Sequence, residues 1–255
     1  MPDSTILNDD FQDRWVLLSG ATSGLGGAIA KTLEQHNARL LLLGRSASKL
    51  NELKAQLTNP EHEILEMTFD DPAAIEAALS PTLDKISHIY AVCHCAGVVD
   101  TRPLKLTRTE NLLQQLTINM LAGIELARLC STKARMPAEG SLLFISSIYA
   151  SVGAPGQIGY CASKGALNAA VRAMAVELAA RKIRVNTLSP GFVATEMTLE
   201  KSRLAPAQLQ ALLDKHPLGS GTAEDVARAA TFLLSPDNRW ITGTDLIIDG
   251  GFTAQ

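Results

Sequence analysis

The sequence predicts a single doubly wound α/β domain, a parallel seven-stranded sheet with helices on both faces. Three observations predict it. Short, continuously apolar runs alternate with helical patterns almost without interruption, and a run of that kind is how a parallel strand buried on both faces reads. A glycine-rich turn joins the first run to the first helix. The 255 residues are 46% hydrophobic, enough to fill one sizeable core.

The elements follow in order. Trp15-Val16-Leu17-Leu18 is a short buried strand, and Ala28, Ile29, Ala30 and Leu33 recur at helical spacing after it. Residues 40–43 form a second apolar run that stops at Gly44, and Leu50, Leu53 and Leu57 mark the next helical face. Residues 64–67 are the third strand, followed by a helix that Pro72 opens and that runs to Leu83. The fourth strand, 89–93, stops at Ala96-Gly97, and 110–129 is one long helical pattern. A fifth strand at 142–145, an alanine-rich helix at 160–180, a sixth strand at 183–188, a helix at 223–234 and a last strand at 246–248 complete the chain.

Residues 1–13 are polar and acidic and read as a short extension; the domain proper is 14–255. The least regular stretch, about 194–218, has polar helical turns around Pro206 and a Pro217-Leu218-Gly219 stop. An insertion there would form a lid over the crevice at the C-terminal strand ends. The formal net charge of −3 and the scattered Lys and Arg give no attraction to nucleic acid. No apolar run approaches the ~18 residues of a membrane span, and the N-terminus lacks the pattern of a signal peptide. Cys93, Cys95, Cys130 and Cys161 read as buried free thiols in a reducing cytoplasm, with metal binding the alternative; no metal is expected.

The turn Ser19-Gly20-Ala21-Thr22-Ser23-Gly24-Leu25-Gly26 lies between strand and helix, where a phosphate cradle belongs. Gly20 permits the tight turn, and Gly24 and Gly26 let the backbone approach a pyrophosphate. Thr22, Ser23 and Leu25 would line it, with the helix N-terminus holding the anion. An ordinary surface loop is the alternative. In such a Rossmann-type site the end of the second strand meets the adenosine ribose. Here it reads Leu43-Gly44-Arg45-Ser46, with no carboxylate. Arg45 can pair with a 2′-phosphate and Ser46 can add a hydroxyl, so NADP(H) is expected over NAD(H). A surface Arg at a helix start is the plainer reading.

Tyr160-Cys161-Ala162-Ser163-Lys164 places a phenol and an ammonium on one helical face. A phenol ionises near ~10, and a neighbouring cation lowers that value. Taken with the cradle, Ala96-Gly97, Asn119, Ser147 and Pro190-Gly191, this sequence resembles the short-chain dehydrogenase/reductase family, over about residues 14–252. The resemblance implies hydride transfer between a nicotinamide and a carbonyl or alcohol. Tyr160 would be the proton donor, Ser147 would bind the same oxygen, and Lys164 would bind the nicotinamide ribose and lower the Tyr160 pKa. Asn119 would hold a water that links Lys164 to solvent. Ser146 is the rival of Ser147, but strand alternation points the two apart.

The likeness further implies that Cys95, Ala96 and Gly97 border the cofactor and that Pro190, Gly191, Val193 and Thr195 meet the nicotinamide. A homotetramer or homodimer is also implied. Three departures stand out: Ser19-Gly20 for Thr-Gly, His94-Cys95 for a pair of Asn, and Thr68 for a carboxylate beside the adenine. The second of these removes the amide contacts of that strand end. Phe69 would lie along the adenine. The pocket would draw on Val98 to Arg102, Ile148 to Gly159 and the lid, including Tyr149, Val152, Ala154, Gln157, Phe192 and Met197. Arg102 and Lys105 read as solvated loop charges, with recognition of an anionic substrate the alternative. The expected activity is that of an NADPH-dependent carbonyl reductase, like bacterial reductases of oxo-acyl chains or sugar derivatives. The alternatives are a cofactor-binding sensor or scaffold without turnover, and an epimerase or dehydratase that retains the nucleotide.

Overall fold

The structure, a computed structural model, describes residues 11–136, 138–195 and 206–255. Seven parallel strands pair in the order β3-β2-β1-β4-β5-β6-β7. They are β1 Trp15–Ser19, β2 Arg39–Gly44, β3 Glu63–Glu66, β4 Ile89–His94, β5 Ser141–Ile145, β6 Arg184–Pro190 and β7 Asp245–Ile248. The chain winds outward from β1 to β3, then crosses back to start the other half at β4. Ser19 therefore lies opposite Leu43 on one side and His94 on the other. The order reverses at β1 and β4, and a crevice opens beyond their C-terminal ends.

The described residues form eight α-helices: α1 Gly24–Gln35, α2 Ala47–Ala55, α3 Pro72–Leu83, α4 Thr109–Leu116, α5 Ala122–Cys130, α6 Ile158–Leu178, α7 Pro206–Leu213 and α8 Ala223–Leu234. Successive strand residues face opposite layers. Leu17, Leu41, Leu43 and Val92 point to one core with Ile75, Leu126 and Leu167 of α3, α5 and α6. Val16, Leu18, Leu40 and Leu42 point to the other, with Ile29, Leu50 and Val226 of α1, α2 and α8. Helix starts carry the caps their residue types favour: Ser23 on α1, Ser46 on α2, and Asp71 before Pro72 on α3.

Three structural details refine the sequence reading. The core reaches back before residue 14. Phe11 is fully buried, edge-on to His36 and Tyr90, and its N–H donates to the His36 carbonyl at 3.2 Å. Burying such a ring contributes about 2–3 kcal/mol, so Phe11 belongs to the core. The long pattern over 110–129 is one uninterrupted helical run with a π turn inside it: Thr117–Leu121 joins α4 to α5, and Asn119 sits in that turn. The sixth strand runs two residues past Leu188, to Pro190. Of the expected lid, 196–205 with Met197 lie outside the described residues, and α7 occupies part of the rest. No described helix is long and apolar enough to cross a membrane.

Candidate active site

The turn after β1 is packed too closely for side chains. Gly20 has φ +67, and a Cβ there would stand 2.6 Å from the Ala96 nitrogen across the crevice. A Cβ on Gly26 would meet the Gly20 carbonyl oxygen at 2.2 Å, and one on Gly24 would touch the Thr195 side chain at 3.2 Å. Ser23 Oγ accepts from the Gly26 N–H at 3.0 Å. The N–H groups of Gly24 and Leu25, in the first turn of α1, have no partner within the helix. Leu25 packs into the core below, and Thr22 lies against Gly44 at the tip of β2. A concave backbone surface with free donors at a helix N-terminus fits a pyrophosphate.

At the tip of β2, Arg45 is exposed, and no hydrogen bond or ion pair holds it among the described residues. Ser46 is committed as the cap of α2, accepting from the Lys49 N–H at 3.4 Å, and its hydroxyl lies 3.0 Å from that of Ser48. Sequence reasoning passed over Glu66. This exposed carboxylate at the end of β3 accepts from the Ala47 N–H at 3.3 Å, in the first turn of α2. Its signal was available: in a 3-2-1 strand order the end of the third strand adjoins that of the second. Thr68 is exposed nearby. The Phe69 ring is buried in the core, edge-on to His94 with centroids 6.0 Å apart.

The end of β4 does not lack side-chain contacts, as the loss of two Asn suggested. His94 is fully buried and uses both ring nitrogens. Nε2 lies 3.1 Å from the Ile118 carbonyl, which only accepts, so this nitrogen carries the proton. Nδ1 then accepts from Ser19 Oγ at 2.8 Å, and Ser19 Oγ in turn accepts from the Ala96 N–H at 3.3 Å. Burial, with the Lys164 charge second, holds the imidazole down to about 3, so it is neutral. Gly123 makes the room: a Cβ there would stand 2.7 Å from His94 Cδ2. One ring thus ties β1, β4 and the π turn together. Cys95 lies 3.9 Å from Ser23 Oγ, its thiol pushed up by burial to about 11 and inert as a nucleophile. A Cβ on Gly97 would meet Asn119 Oδ1 at 3.3 Å and Lys164 Nζ at 3.7 Å.

Asn119, Ser147, Tyr160 and Lys164 come together above this floor. Asn119 is buried, accepts from the Val98 N–H at 2.8 Å, and donates to the Val98 carbonyl at 3.0 Å and Ser163 Oγ at 2.9 Å. Lys164 donates to the Ile145 carbonyl at 2.8 Å, and its Nζ lies 5.6 Å from the Tyr160 ring centroid. Burial lowers its ammonium to about 8. Ser147 and Ser146 point apart. Ser147 Oγ accepts from the Tyr149 N–H at 3.2 Å, whereas Ser146 donates to Asn168 Oδ1 at 2.6 Å. Asn168 in turn donates to Asp245 at 2.8 Å. The expected depression of the Tyr160 pKa is absent from the protein alone. Burial pushes the phenol up to about 12, and the neighbouring Ser147 hydroxyl recovers only part of that. The phenol is therefore a protonated donor at neutral pH.

After β6, Pro190 ends the strand and the Gly191 N–H donates to the Ile248 carbonyl at 3.0 Å. Val193 is buried and bridges to Gly221, and Thr195 comes up against Gly24. The turn after β6 therefore closes over the start of α1.

The family model described as enoyl-(acyl carrier protein) reductase matches residues 20–253. The chain is 33% identical over 244 residues to the 3-oxoacyl-[acyl-carrier-protein] reductase FabG of Rickettsia felis, covering 95% of this chain and 98% of that one. It is 31% identical over 239 residues to a galactitol 2-dehydrogenase (L-tagatose-forming) of Cereibacter sphaeroides, covering 92% and 93%. A crystal structure of a putative short-chain alcohol dehydrogenase from Sinorhizobium meliloti 1021 superposes with TM-score 0.89 at 26% identity, over 97% of this chain and 99% of the other. The chain belongs to the short-chain dehydrogenase/reductase family. It is a short-chain oxidoreductase acting on carbonyl or hydroxyl groups.

In this short-chain oxidoreductase two loops form the mouth of the crevice. The Arg102 N–H donates to the Gly156 carbonyl at 2.9 Å, and Gln157 Nε2 donates to Thr101 Oγ1 at 3.0 Å. Arg102 is paired with Asp100 at 2.6 Å, which neutralises much of its attraction for an anionic substrate. Lys105 is exposed. Tyr149 stands edge-on to Tyr160 with ring centroids 6.3 Å apart. Val152 and Ala154 are half-buried on the same loop. Among the described residues no group of three or more His, Cys, Asp and Glu converges as a metal site would.

Proposed function

We propose that this chain is an NADP(H)-dependent carbonyl reductase of small or medium-sized substrates, using Tyr160 as the proton donor. The observation that carries the reading is the half-buried Tyr160 phenol, which shares a helical face with Lys164. The Lys164 Nζ lies 5.6 Å from its ring centroid, at the edge of a backbone cradle with N–H donors at a helix start. Gly20, Ser23, Gly24 and Gly26 would hold the pyrophosphate. Arg45 would face the 2′-phosphate, while Cys95, Ala96 and Gly97 border the cofactor and Pro190, Gly191, Val193 and Thr195 meet its nicotinamide end. Bound, the nicotinamide supplies the hydride.

The residues of the chain do the rest. Ser147 and Tyr160 hold the carbonyl oxygen between two hydroxyl donors, and Tyr160 gives its proton to that oxygen as negative charge develops. Lys164 is held by the Ile145 carbonyl, and Asn119 fixes the Val98 strand end beside it. Their ordered polar atoms support a path by which a proton returns to Tyr160.

Two groups of exposed apolar side chains support a homotetramer or homodimer: Leu113, Leu121 and Val176 on α4–α6, and Phe232, Trp240 and Ile247 around α8 and β7. The free cysteines support a reducing, cytoplasmic setting. The test follows reduced nicotinamide fluorescence on titration with NADPH and NADH, then its consumption with a panel of ketones and 3-oxoacyl thioesters. Preferential NADPH binding and substrate-dependent consumption are expected. Binding without consumption by any carbonyl would favour a sensor, and absence of binding would overturn the reading.

A further inference from the structure

We propose that His216 is a positioning residue that holds the turn after β6 in shape for the nicotinamide end of the cofactor. The inference rests on the dinucleotide reading above. His216 follows α7 and is 4% exposed. Its Nδ1 lies 2.9 Å from the Leu212 carbonyl, which only accepts, so Nδ1 carries the proton. Its bare Nε2 accepts from the Phe192 N–H at 3.0 Å. The ring therefore sits as one neutral tautomer, bonded to a helix end on one side and to the turn on the other.

The packing leaves the ring little freedom. It is tilted against Phe252 with centroids 4.9 Å apart and edge-on to Phe192 at 6.4 Å. Gly191 admits it: a Cβ there would lie 3.0 Å from Nε2 and 2.8 Å from Asp249 Cα. The segment after β7 closes the third side. The Leu218 N–H donates to the Gly250 carbonyl at 3.0 Å, and Gln255 Nε2 donates to the Lys215 carbonyl at 2.9 Å. The turn after β6, the end of α7 and the C-terminal segment thus meet at one imidazole. Phe192 O is already taken by the Gly221 N–H at 3.0 Å, so both backbone groups of Phe192 are fixed. With Nε2 removed, the Phe192 N–H loses its partner and the turn its shape.

The charged groups around the ring are Asp249, from the segment after β7, and Asp214 and Lys215 on its own segment. Asp249 is occupied by Gly251 at 2.9 Å and Thr253 at 2.6 and 2.7 Å, and Asp214 by Gln210 at 2.7 Å. Neither carboxylate bonds to the ring.

Asn and Gln separate the two bonds, because Asn reaches only the Nδ1 position and Gln reaches Nε2. The measurements are amide hydrogen exchange at Phe192 in the ligand-free protein and NADPH titration at one fixed pH. In the wild type and in His216→Gln, Phe192 is expected to be protected. In His216→Asn it exchanges at least about 10-fold faster and NADPH binds about 10-fold more weakly, with kcat at saturating cofactor little changed. If the Asn variant does not fold, His216→Gln decides the matter: it keeps Phe192 protected and NADPH affinity within about twofold of the wild type. Equal Phe192 exchange in all three proteins, or fast exchange in His216→Gln, overturns the role of His216. A wild type that protects Phe192 but binds no dinucleotide overturns the dinucleotide reading instead.

Discussion

Around Tyr160 the polar groups of Asn119, Ser147 and Lys164 are sealed into protein partners, whereas at the tip of β2 Arg45 stands in solvent beside the carboxylate of Glu66. The first region has shifted pKa values caused mainly by burial. The second holds its charges in water, where screening weakens them. Changes in the buried region should therefore act steeply and through geometry. Changes at the exposed corner should act gently and through charge alone.

The largest expected effect is that of Tyr160→Phe. Turnover should fall by about 10³-fold while NADPH affinity, read by fluorescence titration, stays within about twofold. Retained turnover would show that the buried cluster is not the proton source.

Acid stability comes next. His94 and His62 are buried neutral, with pKa values held below the ordinary one; that of His94 is about 3. The unfolded chain binds these protons first, so their contribution is complete above about pH 6.5 and is lost as the pH falls. Each group costs up to about 1.4 kcal/mol per pH unit. Denaturant midpoints measured between pH 7 and about pH 4 should fall more steeply for the wild type than for His94→Asn. Equal slopes would mean that His94 is not neutral in the fold.

Gly123→Ala is a subtler probe of the same packing. Its Cβ would press on His94, which both ring nitrogens hold in place, at a cost of about 1–3 kcal/mol. The gain in helix propensity offsets up to about 1 kcal/mol of that. A net loss of about 1–2 kcal/mol is expected in chemical denaturation, and an unchanged midpoint would show that the ring can yield.

At the exposed corner, Arg45→Ala should weaken NADPH about 10-fold and leave NADH within about twofold. Glu66→Gln should tighten NADPH by only about two- to fourfold, since its charge acts through solvent. If Glu66→Gln had the larger effect, the carboxylate and not the guanidinium would govern this end of the site.

Much of this arrangement was legible in the sequence because it depends on neighbours along the chain. The apolar runs located every strand, and Tyr160 and Lys164 share a helical face by spacing alone. What was missed depends on distant partners. The π turn at Thr117–Leu121 leaves hydrophobic periodicity almost intact, so 110–129 read as one helix. His94 read as a lost pair of amides because its partners, Ser19 and Ile118, lie 75 and 24 residues away. Phe11 read as part of a polar tail because a single aromatic carries no period. The upward push on the Tyr160 phenol in the protein alone was not legible because a helix face reveals the nearby Lys but not the depth of burial.

The close approach of Gly20 to Ala96 has a consequence for how the molecule is made. During synthesis the glycine turn leaves the ribosome long before the strand that walls it, since β4 follows β1 by about seventy residues. Until that wall pairs with β1, the nascent turn has one side only and gives a nucleotide nothing to wedge against. Ligand-assisted folding of this chain is therefore a late event: the cofactor can trap a nearly finished sheet, but it cannot template the beginning of one.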